Sequence, residues 1–219
     1  MAHEHESEAS LYARDGARKY LNLDERGRVI AAVDGLRRDQ ALFALTLAWT
    51  GARVSEVLAL TPASFQIERG IVALRTLKRR KHSVREVPIP PELMTALDSA
   101  FGLLSAQRNS QAAESYLWPW HRVTAWRIIK GVMARAGIGG RRASPRGLRH
   151  AFGVGALQAG VPLNLAQRWL GHARIGTTSI YADACGAEER AFAARFWHVN
   201  DNRMPAHPRP ERRDAPQAS

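Results

Sequence analysis

The chain has 219 residues, of which 45% are hydrophobic, and a formal net charge of +12 at pH 7. Such a length accommodates one large domain, or one domain with tails, and leaves enough apolar residues for a substantial core. No apolar run reaches the length of a membrane span, the N-terminus has no apolar signal segment, and the single cysteine, Cys185, excludes a disulfide framework or a cysteine-rich zinc site. We therefore expect a cytoplasmic protein.

The N-terminal part of the chain is predicted to be helical. Residues 1–20 are expected to form a flexible arm, with the domain beginning at residue 21. The segment LDERGRVIAAVDGL then places four apolar residues on one helical face: Val29, Ile30, Val33 and Leu36. DQALFALTLAWT is apolar on nearly all sides, which predicts a buried helix, and Gly51 separates it from a further helix in RVSEVLAL.

The middle of the chain predicts a β-hairpin, and helices follow it. IVALRTL and VREVPIP have the composition of short strands, and the basic turn KRRKHS joins them. Further helices are predicted in ELMTALDSAF, HRVTAWRIIKGVMARAG, SPRGLRHAFGVGALQAG, LNLAQRWLGH, TSIYAD and AEERAFAARFW. The Pro- and Arg-rich residues 200–219 are expected to be a disordered tail. The predicted fold is mostly α with a small antiparallel β-sheet, an α+β domain over residues 21–199.

The charge is distributed unevenly along the chain. No acidic residue occurs between Glu114 and Asp183, whereas that interval contains ten Arg or Lys residues. A solvated surface usually mixes both signs of charge, so a long interval of one sign favours a polyanionic partner. Nucleic acid fits best, because its binding energy comes largely from phosphate contacts.

Several polar residues stand where a purely structural role is not the only explanation. Arg53 lies at the entrance of a helix between two buried segments, with Glu56 one turn later as a possible ion-pair partner. Arg146, Arg149 and His150 share one helical face, and guanidinium groups match phosphate oxygens well. Taken alone, Arg53 and Glu56 are as compatible with an ordinary surface ion pair as with a functional role. The basic residues of the second motif are likewise as compatible with a solvated basic face as with anion binding.

Taken together, these motifs resemble the catalytic domain of the tyrosine recombinases, the phage-integrase family. TGARVSEVLAL, a lysine in the β-turn, PRGLRHAF and LGHARIGTTSIY occur in the order typical of that family, and the resemblance covers roughly residues 22–197. It implies a site-specific recombinase that cleaves and rejoins DNA through a covalent 3′-phosphotyrosine, in integration, inversion or resolution. It also implies no cofactor and no metal.

The resemblance assigns a role to each matching residue. Tyr181 is the expected nucleophile, Arg53 and Arg149 are expected to hold the phosphate oxygens, and His172 is expected to donate a hydrogen bond to the same phosphate. Lys78 in the β-turn is the expected general acid, with its neighbours as alternatives. Glu56 and His150 are expected to support the site. We further expect DNA contacts from Arg79, Arg80, Lys81, Arg127, Lys130, Arg141, Arg142 and Arg174.

One position departs from the family pattern. Arg146 stands where the family usually has a histidine, three residues before the second arginine. An arginine donates hydrogen bonds to phosphate but is always protonated near neutral pH, so it cannot act as a base. This departure supports one alternative, a catalytically weakened DNA-binding regulator of the same fold. A second alternative is a type IB-like topoisomerase, which uses the same phosphotyrosine chemistry.

The resemblance also extends to partners and assembly. It implies a short, catalytic-domain-only member that acts as a homo-tetramer on paired double-stranded DNA sites. Residues 187–197 are expected to form a helix that docks on a neighbouring protomer or packs on its own domain. An accessory DNA-binding protein would strengthen binding. The expected location is the cytoplasm of a bacterium, in association with the nucleoid, and the gene would belong to a mobile element.

Overall fold

The computed structural model describes residues 10–76, 83–172 and 176–181. Within these residues, the fold consists of ten α-helices, one short 3₁₀-helix (Pro62–Ser64) and a three-stranded sheet. The helices are α1 (Leu23–Ala31), α2 (Arg38–Thr50), α3 (Val54–Leu58), α4 (Pro91–Phe101), α5 (Leu103–Ala106), α6 (Ser110–Ala113), α7 (Arg122–Arg135), α8 (Pro145–Gln158), α9 (Leu163–Leu170) and α10 (Gly176–Ser179). The prediction of a mostly α fold with a small antiparallel sheet is confirmed.

The sheet is antiparallel, with strand order β1 (Phe65–Gln66), β2 (Ile71–Thr76) and β3 (Ser83–Pro88). The predicted hairpin is formed by β2 and β3, in a register that pairs Val72 with Val87 and Leu74 with Arg85. The short strand β1 and the short helices α5 and α6 were not predicted, because each contains too few residues to show a periodic pattern.

The buried helix α2 forms the centre of the core. Its residues Leu42, Phe43 and Leu47 are all at most 4% exposed, as expected for a helix that is apolar on nearly all sides. Phe43 packs edge-on against Trp118, at 5.4 Å between ring centroids. The helix ends at Thr50 and is capped by Gly51, whose φ of +60° is left-handed, a conformation that favours glycine. Because α2 ends there, Arg53 lies at the start of the next helix.

Helix α1 is shorter than its sequence pattern predicted. The apolar periodicity extends to Leu36, but the helix ends at Ala31. Val29 and Val33 are nevertheless buried, and Ile30 and Leu36 are partly buried against the core. The pattern therefore identified residues that face the core, while the predicted helix end was wrong. Helix ends are set by local capping as well as by periodicity.

The predicted flexible arm is corrected for residues 10–20, which are packed against the domain. Leu11 and Tyr20 are 2% and 7% exposed, and a bridge pairs Tyr12 with Arg18. Leu11 and Tyr20 belong to a small apolar cluster that also contains Tyr181. The apolar contacts of this cluster hold a segment whose composition is that of an arm. Three predicted segments lie outside the described residues: residues 1–9 of the arm, the helix 187–197 and the tail 200–219.

No helix in the part of the chain that the structure describes is both long enough and apolar enough to cross a membrane.

Candidate active site

A cleft of about 840 Å³ collects residues from distant parts of the chain. Its walls come from the N-terminal segment, the start of α3, helices α7 and α8, and the segment around α10. Eight of the predicted site residues line it: Arg53, Glu56, Arg141, Arg146, Arg149, His150, His172 and Tyr181. The fold therefore brings the motifs that were recognised separately in the sequence to one place.

Glu56 is the buried anion of this site. Its carboxylate accepts a hydrogen bond from the backbone N–H of Arg53 at 2.8 Å and another from Nη1 of the same residue at 3.0 Å. The side chain is only 1% exposed. Burial raises the pKa of Glu56, but its hydrogen bonds and ion pairs with Arg85 and Arg53 outweigh burial and hold the pKa below its ordinary value. Glu56 is thus charged and fixes the side chain of Arg53 at the cleft.

Arg85, on strand β3, belongs to this network but to none of the motifs recognised in the sequence. Its Nη2 lies 2.6 Å from Oε2 of Glu56, and its Nε donates to the carbonyl oxygen of Trp169 at 2.7 Å. The residue is 5% exposed. The sequence contained a signal for the burial of Arg85. Alternate residues of a strand share one face, and Arg85 alternates with Val87 and Ile89, which are both buried.

Arg149 projects from α8 and connects it to the C-terminal ends of α2 and α9. Its Nη1 donates to the carbonyl oxygen of Gly51 and its Nη2 donates to that of Leu170, both at 2.6 Å. The pKa of Arg149 is lowered to about 10, mainly by burial and secondly by the charge of Arg53. Arg149 therefore remains protonated at neutral pH. A guanidinium carries five N–H groups, so one held by two carbonyls can also donate to an anion in the cleft.

His172 follows α9 and is oriented by a threonine. Its Nδ1 lies 2.9 Å from Oγ1 of Thr178. Burial, followed by the charges of Arg149 and Arg53, lowers the pKa of His172 to about 3. The imidazole is therefore neutral at pH 7, and its ring is stacked with that of Tyr181 at 6.1 Å between centroids.

Tyr181 is almost completely buried, at 1% exposure. Its phenol oxygen lies 3.1 Å from Nδ1 of His150. Burial raises the pKa of Tyr181 above its ordinary value of 10.0, and the charges of Arg149 and Arg53 offset part of this rise. The ring rests against Gly153, where an added Cβ would come within 2.6 to 2.8 Å of three ring atoms. Only glycine leaves room for Tyr181 at this point of α8.

The predicted DNA-binding residues fall into three groups. Arg141 is exposed and lines the cleft, whereas Arg127 is exposed but is not among the lining residues. Arg142 forms an ion pair with the buried Glu25, at 2.9 Å from Nε to Oε1, and Lys130 donates to the carbonyl oxygen of Ala143 at 2.9 Å. The last two side chains hold the segment that leads into α8.

The remaining predicted residues, Lys78, Arg79, Arg80, Lys81 and Arg174, lie outside the described residues.

Three further lining residues were not identified as site residues from the sequence. Lys19 comes from the segment that had been assigned to the arm, and Arg122 and Trp126 come from one face of α7. Trp126 is 48% exposed although it is a large aromatic residue. An exposed aromatic beside cationic groups is typical of nucleic-acid-binding surfaces. Across the described ranges, no group of three or more His, Cys, Asp or Glu residues is arranged to hold a metal ion.

Known proteins share this sequence pattern and this fold. The model of the phage integrase family matches residues 19–187. Tyrosine recombinase XerA of Pyrococcus furiosus is 31% identical over 172 residues, which cover 74% of this chain and 56% of that protein. Tyrosine recombinase XerD of Neisseria meningitidis is 36% identical over 165 residues, which cover 70% of this chain and 54% of that protein. The chain thus spans little more than half the length of these relatives.

The fold comparison agrees with the sequence comparison. A crystal structure of XerA recombinase matches with a TM-score of 0.65 at 26% identity, covering 85% of this chain and 66% of that one. The resemblance seen in the motifs around Arg53, Arg149 and Tyr181 is therefore confirmed. Since the family model also covers most of the sequence, the chain belongs to the phage integrase family, the family of the tyrosine recombinases.

Proposed function

We propose that the protein is a site-specific DNA recombinase that cleaves and rejoins DNA strands through a 3′-phosphotyrosine intermediate. The observation that carries the proposal is that Tyr181 lies in one cleft with Arg53, Arg149 and His172. A nucleophile beside fixed cations suits attack on an anionic phosphodiester. The family membership supports the same reaction.

The cationic groups provide the transition-state stabilisation in this proposal. Negative charge builds up on the non-bridging phosphate oxygens as the nucleophile attacks, and preorganised donors stabilise that charge. Arg53 is held by Glu56, and Arg149 is held by two backbone carbonyls. Both guanidinium groups are therefore positioned before DNA binds, so little reorganisation is needed. His172, oriented by Thr178, supplies a further hydrogen bond.

The chemical step exchanges one phosphoester bond for another. The phenol oxygen of Tyr181 forms a bond to phosphorus, and the bond from phosphorus to the 5′ oxygen breaks. Lys78, by the family resemblance, gives a proton to the departing 5′ oxygen. The 3′-phosphotyrosine conserves the energy of the broken ester, so the 5′-hydroxyl of another strand can reseal it without ATP.

The cleft rim provides the DNA contacts in this proposal. Lys19, Arg122, Arg141 and Arg146 line the cleft and would contact phosphates next to the cleavage site, while Trp126 would pack on a sugar or base.

Strand exchange between two duplexes requires several active sites, so we propose a homo-tetramer on paired sites. Residues 187–197 would join the protomers, and an accessory DNA-binding protein would add affinity. We further propose a cytoplasmic, nucleoid-associated enzyme of a bacterial mobile element.

A covalent-adduct assay tests the proposal. Nicked suicide duplexes, drawn from the DNA that flanks the gene, trap the covalent intermediate because the cleaved fragment diffuses away. We expect an adduct that resists SDS in the wild type and in Tyr116→Phe, a control at an exposed tyrosine. We expect no adduct in Tyr181→Phe. An adduct that persists in Tyr181→Phe would refute the assignment, and DNA binding without any adduct would favour a regulator.

A further inference from the structure

Helix α8 forms a seat for the phenol of Tyr181. His150 and Gly153 are three residues apart on this helix and therefore lie on the same face. Gly153 makes room for the ring of Tyr181, and His150 places its Nδ1 3.1 Å from the phenol oxygen. The seat thus fixes both the ring and the reacting oxygen atom.

The contact between the two side chains is shielded from water. His150 is 7% exposed and Tyr181 is 1% exposed. Solvent therefore competes poorly for the phenol proton, and His150, which is within hydrogen-bond distance of the phenol oxygen, is placed to take it.

The other candidates for a proton acceptor are placed less well. Arg146 stands at the position where the family usually has a histidine, but it is exposed, and a guanidinium has no lone pair to accept a proton. His172 directs its Nδ1 to Thr178 and stacks on the Tyr181 ring rather than meeting its oxygen edge-on.

We propose that His150 is the general base of the cleavage step and accepts the phenol proton of Tyr181 at Nδ1. This inference rests on the proposed recombinase function. The proton moves from the phenol oxygen to Nδ1 as the oxygen forms its bond to phosphorus, and the 5′ oxygen leaves with a proton from Lys78. In the rejoining step the incoming 5′-hydroxyl gives its proton back to Lys78 and displaces the phenol oxygen, which takes its proton back from His150. Proton transfer is balanced over the two steps.

The charges around His150 explain how DNA would activate it. The groups that face it are Lys19 from the N-terminal segment, Arg146 and Arg149 on α8, His172 after α9, and Tyr181. Burial, then the charges of Arg149, Arg146 and Lys19, lowers the pKa of His150 to about 4, so it is neutral at pH 7 and can accept a hydrogen bond. A phosphate in the cleft adds negative charge beside these cations and raises the pKa of His150 toward neutrality, which makes it a stronger base.

The first test needs no DNA and examines the direction of the hydrogen bond. Nitrogen NMR of ¹⁵N-histidine-labelled protein at pH 8 distinguishes a protonated from an unprotonated Nδ1. The signals of His150 are assigned by their loss in His150→Gln. We expect the Nδ1 of His150 to be unprotonated and its chemical shift to change in Tyr181→Phe; His121, whose Nδ1 accepts a hydrogen bond from the Val123 amide, serves as the reference for an unprotonated Nδ1. A proton on Nδ1 of His150 would overturn the proposal, because the imidazole would then be the donor.

The second test measures the base function itself. Cleavage of a suicide duplex is timed from pH 6 to 9 in the wild type, in His150→Gln and in Gly155→Ala, a control on the same helix. We expect His150→Gln to cleave about 10²-fold more slowly at pH 7. Its rate should rise about tenfold per pH unit, because solvent must then ionise the phenol, while the wild-type rate levels off. A wild-type rate and a level profile in His150→Gln would overturn the proposal.

The two proposals fail in different ways. If Tyr181→Phe still forms the covalent adduct, the recombinase assignment of Tyr181 is refuted together with the base. If Tyr181→Phe abolishes the adduct while His150→Gln cleaves at the wild-type rate, only the role of His150 is refuted.

Discussion

The carboxylate of Glu56 and the guanidinium of Arg85 form a buried ion pair, with 2.6 Å between Oε2 and Nη2. Both side chains are at most 4% exposed. Glu56 also holds Arg53 at the cleft, so the pair links strand β3 to the start of α3. The position of one proposed phosphate-binding arginine therefore depends on a second arginine that need not contact the phosphate.

Replacing Glu56 with Gln should destabilise the fold, because Arg85 would remain buried without a full counter-charge. We expect the free energy of unfolding at pH 7 to fall by about 3 kcal/mol, the scale seen when one partner of a buried pair is removed. Denaturant unfolding, monitored by circular dichroism, measures the change. Glu114→Ala, at an exposed carboxylate, should leave the stability within about 0.5 kcal/mol.

Glu56→Gln also reveals how the contribution of ionised Glu56 to the free energy of unfolding depends on pH. The pKa of Glu56 is below its ordinary value of 4.5 in the folded protein, so the unfolded chain takes up the proton at a higher pH than the folded one. The stabilisation is complete above about pH 5 and is lost as the pH falls through the folded pKa. The stability difference between the wild type and Glu56→Gln should therefore shrink as the pH falls toward 3. A constant difference would contradict the ion-pair account.

Gly153→Ala should impair cleavage without preventing DNA binding. The new methyl group would meet the ring of Tyr181 at 2.6 Å, so the phenol must move out of its seat. A displacement of about 1 Å can cost 10²-fold in rate. Gly155→Ala is the matched control, because its methyl group meets only Leu23, at 3.6 Å. Equal cleavage rates in the two variants would show that the close packing of Tyr181 is unimportant.

Substitutions at the two arginines of α8 should have opposite effects on cleavage. Arg149→Ala removes a fixed cation from the proposed phosphate site, and we expect it to abolish adduct formation. Arg146→His restores the histidine that the family usually has at this position, so we expect the cleavage rate to be kept or raised. Time courses with a suicide duplex measure both. Intact cleavage in Arg149→Ala would refute its role in phosphate binding.

The adjacent residues Arg141 and Arg142 should separate DNA binding from stability. Arg141 lines the cleft, so Arg141→Ala should weaken DNA binding and reduce the slope of log affinity against log salt by about 1. Arg142 pairs with Glu25, so Arg142→Ala should lower the free energy of unfolding by about 1 kcal/mol. Fluorescence anisotropy with labelled duplexes and denaturant unfolding measure the two effects. Identical changes in the salt slope would contradict this division.

The residues of the candidate site that lie in recognisable motifs could be predicted from the sequence, because the residue types in those motifs indicate the chemistry. Arg53, Glu56, Arg149 and Tyr181 belong to segments whose residue types and order are informative on their own, and all four line the cleft. Arg85 was missed, since an arginine in a strand pattern is normally assigned to the solvent face. Its burial depends on a partner that lies 29 positions earlier in the chain.

The N-terminal segment shows a second limit of sequence reasoning. Residues 10–20 contain four charged residues and two glycine or serine residues, which suggests an arm. Leu11 and Tyr20 are nevertheless buried with Tyr181 in the small apolar cluster. Only the fold shows that a partner surface for these two residues exists, because that surface comes from α8, α9 and the residues after them.

The most direct test of the central claim is to locate the DNA–protein bond. The full chain is trapped on a suicide duplex, the DNA is trimmed by nuclease, and the peptides are sequenced by mass spectrometry. We predict a single nucleotide adduct on the peptide that contains Tyr181, with the phenol oxygen joined to a 3′-phosphate. An adduct on another residue, or a 5′-phosphate linkage at Tyr181, would contradict the account.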